Sequence, residues 1–110
     1  MSVQIIVSQS GPLPIKTTFN APGDLPMILE VNGSVWSSYN GLMVGIGIDL
    51  DGDTIGAAQI FANAASMHLA VVPAYIPIQL SQGEHTLYLY LVSGETQCDE
   101  NDFINAVLHY

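Results

Sequence analysis

The stretch from Leu42 to Tyr90 most constrains what this chain can become, because apolar alternation and turn chemistry succeed one another along all of it. Leu42–Leu50 reads as a strand, with Val44, Ile46, Ile48 and Leu50 on one face and Gly45, Gly47 and Asp49 on the other, since strand side chains alternate with period two. The two glycines leave room for something bulky to lie over that face, either a neighbouring subunit or an aromatic ring. Asp51-Gly52 follows, a pair suited to the positive φ of a two-residue hairpin turn, and Thr54–Ala62 is the return strand. A long apolar strand is expected over Met67–Leu80, then a turn at Ser81-Gln82-Gly83-Glu84, then the alternating run His85–Tyr90. Strands joined this way form an antiparallel sheet.

The flanks continue the pattern. Val3–Val7 and Ile15–Phe19 are short runs closed by Ser10-Gly11-Pro12 and by Ala21-Pro22-Gly23-Asp24. Proline beside a short strand points to a sheet edge, where a missing N–H does little harm. Met27–Val31 is expected to run past Asn32-Gly33 to Trp36 as one long strand with a bulge, because too few residues remain to pair back before the Ser37–Gly41 loop. Phe103–Tyr110 alternates as the last strand, and helix has little support anywhere. About eight strands with this turn spacing predict a single all-β domain over residues 1–110, an antiparallel two-sheet β-sandwich.

Composition narrows the partners. Hydrophobic residues make up 49% of the chain and charged ones only 10%, against roughly 25% charged in an ordinary domain. Such a surface is expected to be covered in part by further copies of the chain. Ten acids face one base, Lys16, for a net charge of −9. That charge repels phosphate backbones and anionic lipid, so nucleic-acid binding is not expected. The longest apolar run, Leu69–Ile78, is too short to span a bilayer and contains Pro73 and Pro77, so membrane insertion is not expected either. Met1–Gln4 lacks the basic start of a signal peptide, which suggests a soluble protein, cytoplasmic or exported without a signal. Cys98 is the only cysteine, so no internal disulfide forms, and neighbouring Asp99 and Glu100 make its thiol a poor nucleophile.

Three segments, Gly47-Ile48-Asp49-Leu50-Asp51-Gly52, His68-Leu69-Ala70-Val71-Val72-Pro73 and Leu80-Ser81-Gln82-Gly83-Glu84-His85-Thr86-Leu87, together resemble small bacterial and viral domains of the tumour-necrosis-factor-like jelly-roll type. The resemblance covers residues 27–110 and favours a jelly roll over an immunoglobulin-like sandwich. It implies a compact trimer with aromatic and apolar residues along a shared axis, and binding of glycans or a protein partner rather than catalysis.

Candidate chemistry concentrates in two loops. Glu95–Asp102 carries four acids in eight positions and joins the last two strands, at one end of the sandwich where β domains carry binding loops. Asp99, Asn101 and Asp102 there could accept sugar hydroxyls, directly or through calcium; a solvated loop with Asx turns is the alternative. Trp36, Tyr39 and Asn40 form the second candidate, an aromatic face for a sugar ring beside an amide for its hydroxyls, although Trp36 also fits a core position. Asp49, Asp51 and Asp53 resemble half of a calcium loop, yet the chain continues as a strand where the closing bidentate acid should stand. No metal site is therefore assigned and no cofactor is expected, with calcium the one cation left open. His68, His85 and His109 lie at no ligand spacing, and no nucleophile signature occurs. Tyr88 and Tyr90 share a strand face opposite Leu87, Leu89 and Leu91 and are the expected oligomer contact.

These readings converge on a non-catalytic, lectin-like carbohydrate-binding homo-oligomer, a trimer by preference, with its ligand held by end loops. The alternative is a structural or assembly protein, such as a fibre tip or capsid-like subunit, that binds protein partners.

Overall fold

The computed structural model describes residues 2–110, with Met1 outside them. Nine strands follow one another: β1 (Val3–Ser10), β2 (Ile15–Ala21), β3 (Pro26–Val35), β4 (Leu42–Leu50), β5 (Asp53–Ala62), β6 (Leu69–Ala70), β7 (Ala74–Gln79), β8 (Gly83–Leu91) and β9 (Phe103–His109). They form two antiparallel sheets, and no helix occurs among the described residues. One sheet runs β1-β9-β3-β6, with β7 also paired to β3; the other runs β2-β8-β4-β5. The result is a β-sandwich of jelly-roll type. Both proline-flanked strands, β1 and β2, lie at sheet edges as their sequences suggest.

Period-two alternation builds the shared layer. Leu29, Val31, Ile104, Ala106 and Leu108 from the first sheet face Val44, Ile46, Ile48, Leu87 and Leu89 from the second, and all are fully buried. Burying a side chain of this size stabilises the fold by roughly 1.5–3 kcal/mol, so this layer is the main source of cohesion.

Two expectations need correction. The long strand over Met67–Leu80 is broken into β6 and β7 at Val71-Val72-Pro73. There the chain passes between the sheets: the Val71 N–H goes to Gly33 O of β3 at 2.9 Å, and the Val72 N–H to Gln59 O of β5 at 2.9 Å. Pro73 has no N–H with which to continue either ladder. At Asn32-Gly33 the strand is continuous as expected, but it has no bulge, and Asn32 and Gly33 pair in register with Asn105 and Ile104. Glycine is needed there because a Cβ would come within 2.5 Å of the Phe103 carbonyl oxygen. The register shifts fall instead between Ile5 and Val7 and between Ile48 and Asp49.

The Asp51-Gly52 hairpin forms with φ values of 52° and 88°, the paired positive φ of a tight two-residue turn. The space left by the glycines of β4 is filled from within the chain. The Tyr90 ring lies over Gly47, and a Cβ on Gly45 would run into the Ala58 carbonyl. A ring tip can swing aside and a backbone carbonyl cannot. Gly45→Ala should therefore lower stability by roughly 1–3 kcal/mol, and Gly47→Ala by distinctly less. Urea unfolding of the two variants checks that ranking.

Candidate functional site

Loops converge at the end of the sandwich where β3 and β5 finish. The β3–β4 loop is pinned by the Tyr39 N–H donating to Ser37 Oγ at 3.1 Å and the Gly41 N–H donating to Ala62 O at 2.6 Å. Ser66, in the loop before β6, donates its N–H to Ser37 O at 2.6 Å. The β8–β9 loop is tied on by Trp36 and Gln97, which exchange backbone bonds of 3.0 and 2.7 Å. Buried Thr96 accepts the Gly45 N–H at 3.3 Å, so this loop is anchored at its middle as well as its ends.

Asp102 is the centre of this end. It is 1% exposed, although the sequence reading places it among the accessible acids of the loop. Its Oδ1 accepts the Ser34 hydroxyl at 2.7 Å and lies 2.7 Å from Nδ1 of His68, which must carry the proton because an ionised carboxylate only accepts. Its Oδ2 accepts the Asp99 N–H at 2.9 Å. The backbone around it joins in, with Asp102 N–H bonded to Asp99 O at 3.0 Å and Gly11 N–H to Asp102 O at 2.9 Å. One buried carboxylate thus fastens β3, the loop before β6 and the β8–β9 loop. The hydrogen bond to Asp102 raises the His68 pKa, burial opposes that rise, and the charges of Asp102 and Asp99 support it. The Cys98 thiol, half-buried beside the same acids, is pushed up to about 11 chiefly by burial, which keeps it protonated and unreactive.

Around this brace stand the other candidates. The rings of Trp36 and His68 pack 5.6 Å apart at 39°, and Trp36 Nε1 is buried without a hydrogen-bond partner among the described residues. Asp99 Oδ1 accepts the Asn101 N–H at 2.9 Å, an Asx turn of the kind the sequence suggests. Tyr39 is 63% exposed, and Asn40 and Asn101 are also exposed. The structure therefore gathers Trp36, Asp99 and Asp102 into one network through His68 and Ser34, with Tyr39 and Asn40 on an adjoining pinned loop. One ligand atom each from His68, Asp99 and Asp102 lies within 4.8 Å of the others. A cation there would have to displace the His68–Asp102 hydrogen bond.

The remaining candidates lie elsewhere. At the β4–β5 hairpin, Asp51 accepts the Thr86 N–H at 2.8 Å and lies 2.6 Å from His85 Nδ1, while His85 Nε2 lies 2.7 Å from Ser81 O. Burial would raise the Asp51 pKa, but the Thr86 N–H and His85 outweigh it and the net shift is downward. Asp49 accepts the Thr54 hydroxyl at 2.7 Å. Asp49 and Asp51 thus serve the hairpin itself rather than converging on one point. His109 lies 2.8 Å from Glu30, so each of the three histidines has its own acid. Tyr88 and Tyr90 do share an outward face, their ring centres 5.5 Å apart.

Sequence reasoning missed Ser34 and His68 as partners of Asp102. The available signal was the scarcity of bases: with one lysine, histidines are the natural counter-charges for buried acid. Asp102→Ala removes the acceptor for three donors at once and should cost roughly 3–5 kcal/mol. Chemical denaturation against the parent measures it.

No protein-family model matches the sequence, and a search of curated proteins finds no match. Solved structures do match the fold. A family 35 carbohydrate-binding module from Clostridium thermocellum superposes with a TM-score of 0.57 at 11% identity, covering 96% of this chain and 90% of that one. A CBM36-1 domain of a multidomain xylanase from the hindgut metagenome of Trinervitermes trinervoides gives 0.50 at 16% identity, over 98% and 84%. A cycloisomaltooligosaccharide glucanotransferase from Paenibacillus gives 0.50 at 13%, with 86% of this chain matching 12% of that much longer one. At these identities the likeness is one of fold, and the fold it shows is the antiparallel β-sandwich.

Proposed function

We propose that this chain is a non-catalytic, lectin-like carbohydrate-binding module. Its ligand is held at the loop end by Tyr39, Asn40, Trp36, Asp99 and Asn101, with Asp102 as the buried brace behind them. The observation that carries this reading is the exposure of Tyr39 on a loop pinned by hydrogen bonds at both ends. An exposed ring held in place loses little freedom when a sugar stacks on it, and Asn40 next to it, with Asp99 and Asn101 on the β8–β9 loop, supplies groups for the hydroxyls. The sandwich it shares with carbohydrate-binding modules supports the same reading by analogy of fold alone. The reading assigns no catalytic residue.

Self-association belongs to the same proposal, with the trimer implied by the tumour-necrosis-factor-like resemblance as its form. The sequence reading puts the contact at Tyr88 and Tyr90. The outer face of the five-stranded sheet is the more apolar surface, with Val3, Ile5, Ile28, Tyr75 and Phe103 all exposed on it. Its one acid among the paired strand positions, Glu30, is bonded to His109. That face is where chains of charge −9 can approach with least repulsion. It also favours the second reading, an assembly subunit that binds protein partners.

A glycan array probed with the intact protein, in calcium and again in chelator, should show selective binding. Tyr39→Ala should weaken it by an amount equivalent to about 0.5–1.5 kcal/mol. A blank array would leave the assembly reading standing alone. If the chain self-associates through the five-stranded sheet, sedimentation equilibrium should show an oligomer that Ile5→Glu dissociates; a monomeric parent ends that claim.

A further inference from the structure

The outer face of the four-stranded sheet is a second surface, built on strand positions rather than on the loops of the loop end. Lys16 on β2, Tyr88 on β8, Asp49 on β4 and Thr54 on β5 are cross-strand neighbours in one row. In the next row along β8, Tyr90 stands opposite Gly47 and lies over it. Two adjoining depressions follow these rows. One, of about 690 Å³, is lined by Lys16, Asp51, Thr86 and Tyr88, and the other by Pro14, Tyr90 and Leu91; Asp49 and Tyr88 line both.

The geometry points to a second carbohydrate site in this groove, one that takes an extended, neutral oligosaccharide across Tyr88 and Tyr90. This rests on the carbohydrate reading above and places a distinct site on the same chain. The two rings are stacked, their planes 21° apart and their centres separated by 5.5 Å, so they make one continuous aromatic block along β8. The part of that block left open to solvent is apolar and suits the face of a sugar ring lying across it. The polar groups beside them are set for hydroxyls. Asp49 is oriented through one oxygen by the Thr54 hydroxyl, and its other oxygen makes no hydrogen bond among the described residues. Lys16 is exposed, and the ion pairs among the described residues all belong to histidines, so its ammonium is a free donor. Charge sets the class of sugar. Asp49 and Asp51 in the groove, and −9 over the chain, repel uronates and sulfated glycans. Gly47 keeps the bed beneath the tyrosines low, because any Cβ there would displace the Tyr90 ring.

The test is an amide chemical-shift titration of the intact chain with cellohexaose, xylohexaose and mannohexaose, with an oligogalacturonate as the anionic control. At least one neutral hexaose should move the amides of Lys16, Gly47, Asp49, Thr86 and Tyr90, and the oligogalacturonate should not. Tyr88→Ala with Tyr90→Ala should weaken that binding at least tenfold. Lys16→Gln, an exposed change that leaves packing intact, should weaken it severalfold. Shifts confined to Trp36–Asn40 and Asp99–Asp102 would overturn this site while upholding the loop site, and shifts on the sheet alone would do the reverse. Silence at both with all three hexaoses overturns both. Amides of this face that move on dilution without sugar would make it a contact between copies and overturn the glycan assignment.

Discussion

The fold depends on two sheets sharing a single apolar layer. Because side chains alternate along a strand, each sheet can contribute only every second residue to that layer. The others must face outward or meet something else. This leaves two outer faces and two ends of the sandwich as places where the sequence is free of the core. The candidate chemistry of this chain lies in those places: acids and aromatics in the loops at one end, and two tyrosines on the outside of β8. The core dictates where binding groups can stand without contributing any of them.

A second constraint is electrostatic. A chain with ten acids and one lysine has almost no conventional partner for a buried carboxylate. Asp102 is buried nonetheless, and it is satisfied by a hydroxyl, an imidazole and a backbone N–H. The same kind of pairing recurs at exposed Asp51 with His85 and Thr86, and at half-buried Glu30 with His109. Each pair joins segments far apart in sequence, so the histidines act as staples between elements. A buried carboxylate with all its donors in place rigidifies the loops that supply them, and rigid loops hold an exposed ring such as Tyr39 ready for contact.

Much of the fold was legible because it rests on local rules. Strand alternation, the Asp51-Gly52 turn and the proline-marked edges of β1 and β2 all follow from nearest-neighbour chemistry, and the structure agrees with each. The split of Met67–Leu80 was not legible, because Val71 and Val72 look like strand interior and their switch from β3 to β5 depends on two sheets already in place. Pro73 was the one local sign of it. The loop end was legible as a location but not as an arrangement. Asp99, Asn101 and Asp102 read alike as a polar run, yet register buries only Asp102, and its partners Ser34 and His68 lie 68 and 34 residues away. Conversely, the room left by Gly45 and Gly47 was readable, and the structure gives it to the chain's own Tyr90 and backbone.

The solitary base has a consequence outside recognition. Proteases of the trypsin type cut only after lysine or arginine, and this sequence offers them one bond, between Lys16 and Thr17. That bond lies inside β2, where Lys16 and Thr17 are paired with Tyr88 and Leu87 of β8. A protease must draw several residues into its cleft in extended form, which here requires peeling β2 from its neighbour. The one cleavable bond is therefore protected for as long as the edge strand stays paired, and digestion by such an enzyme reports the opening of that edge.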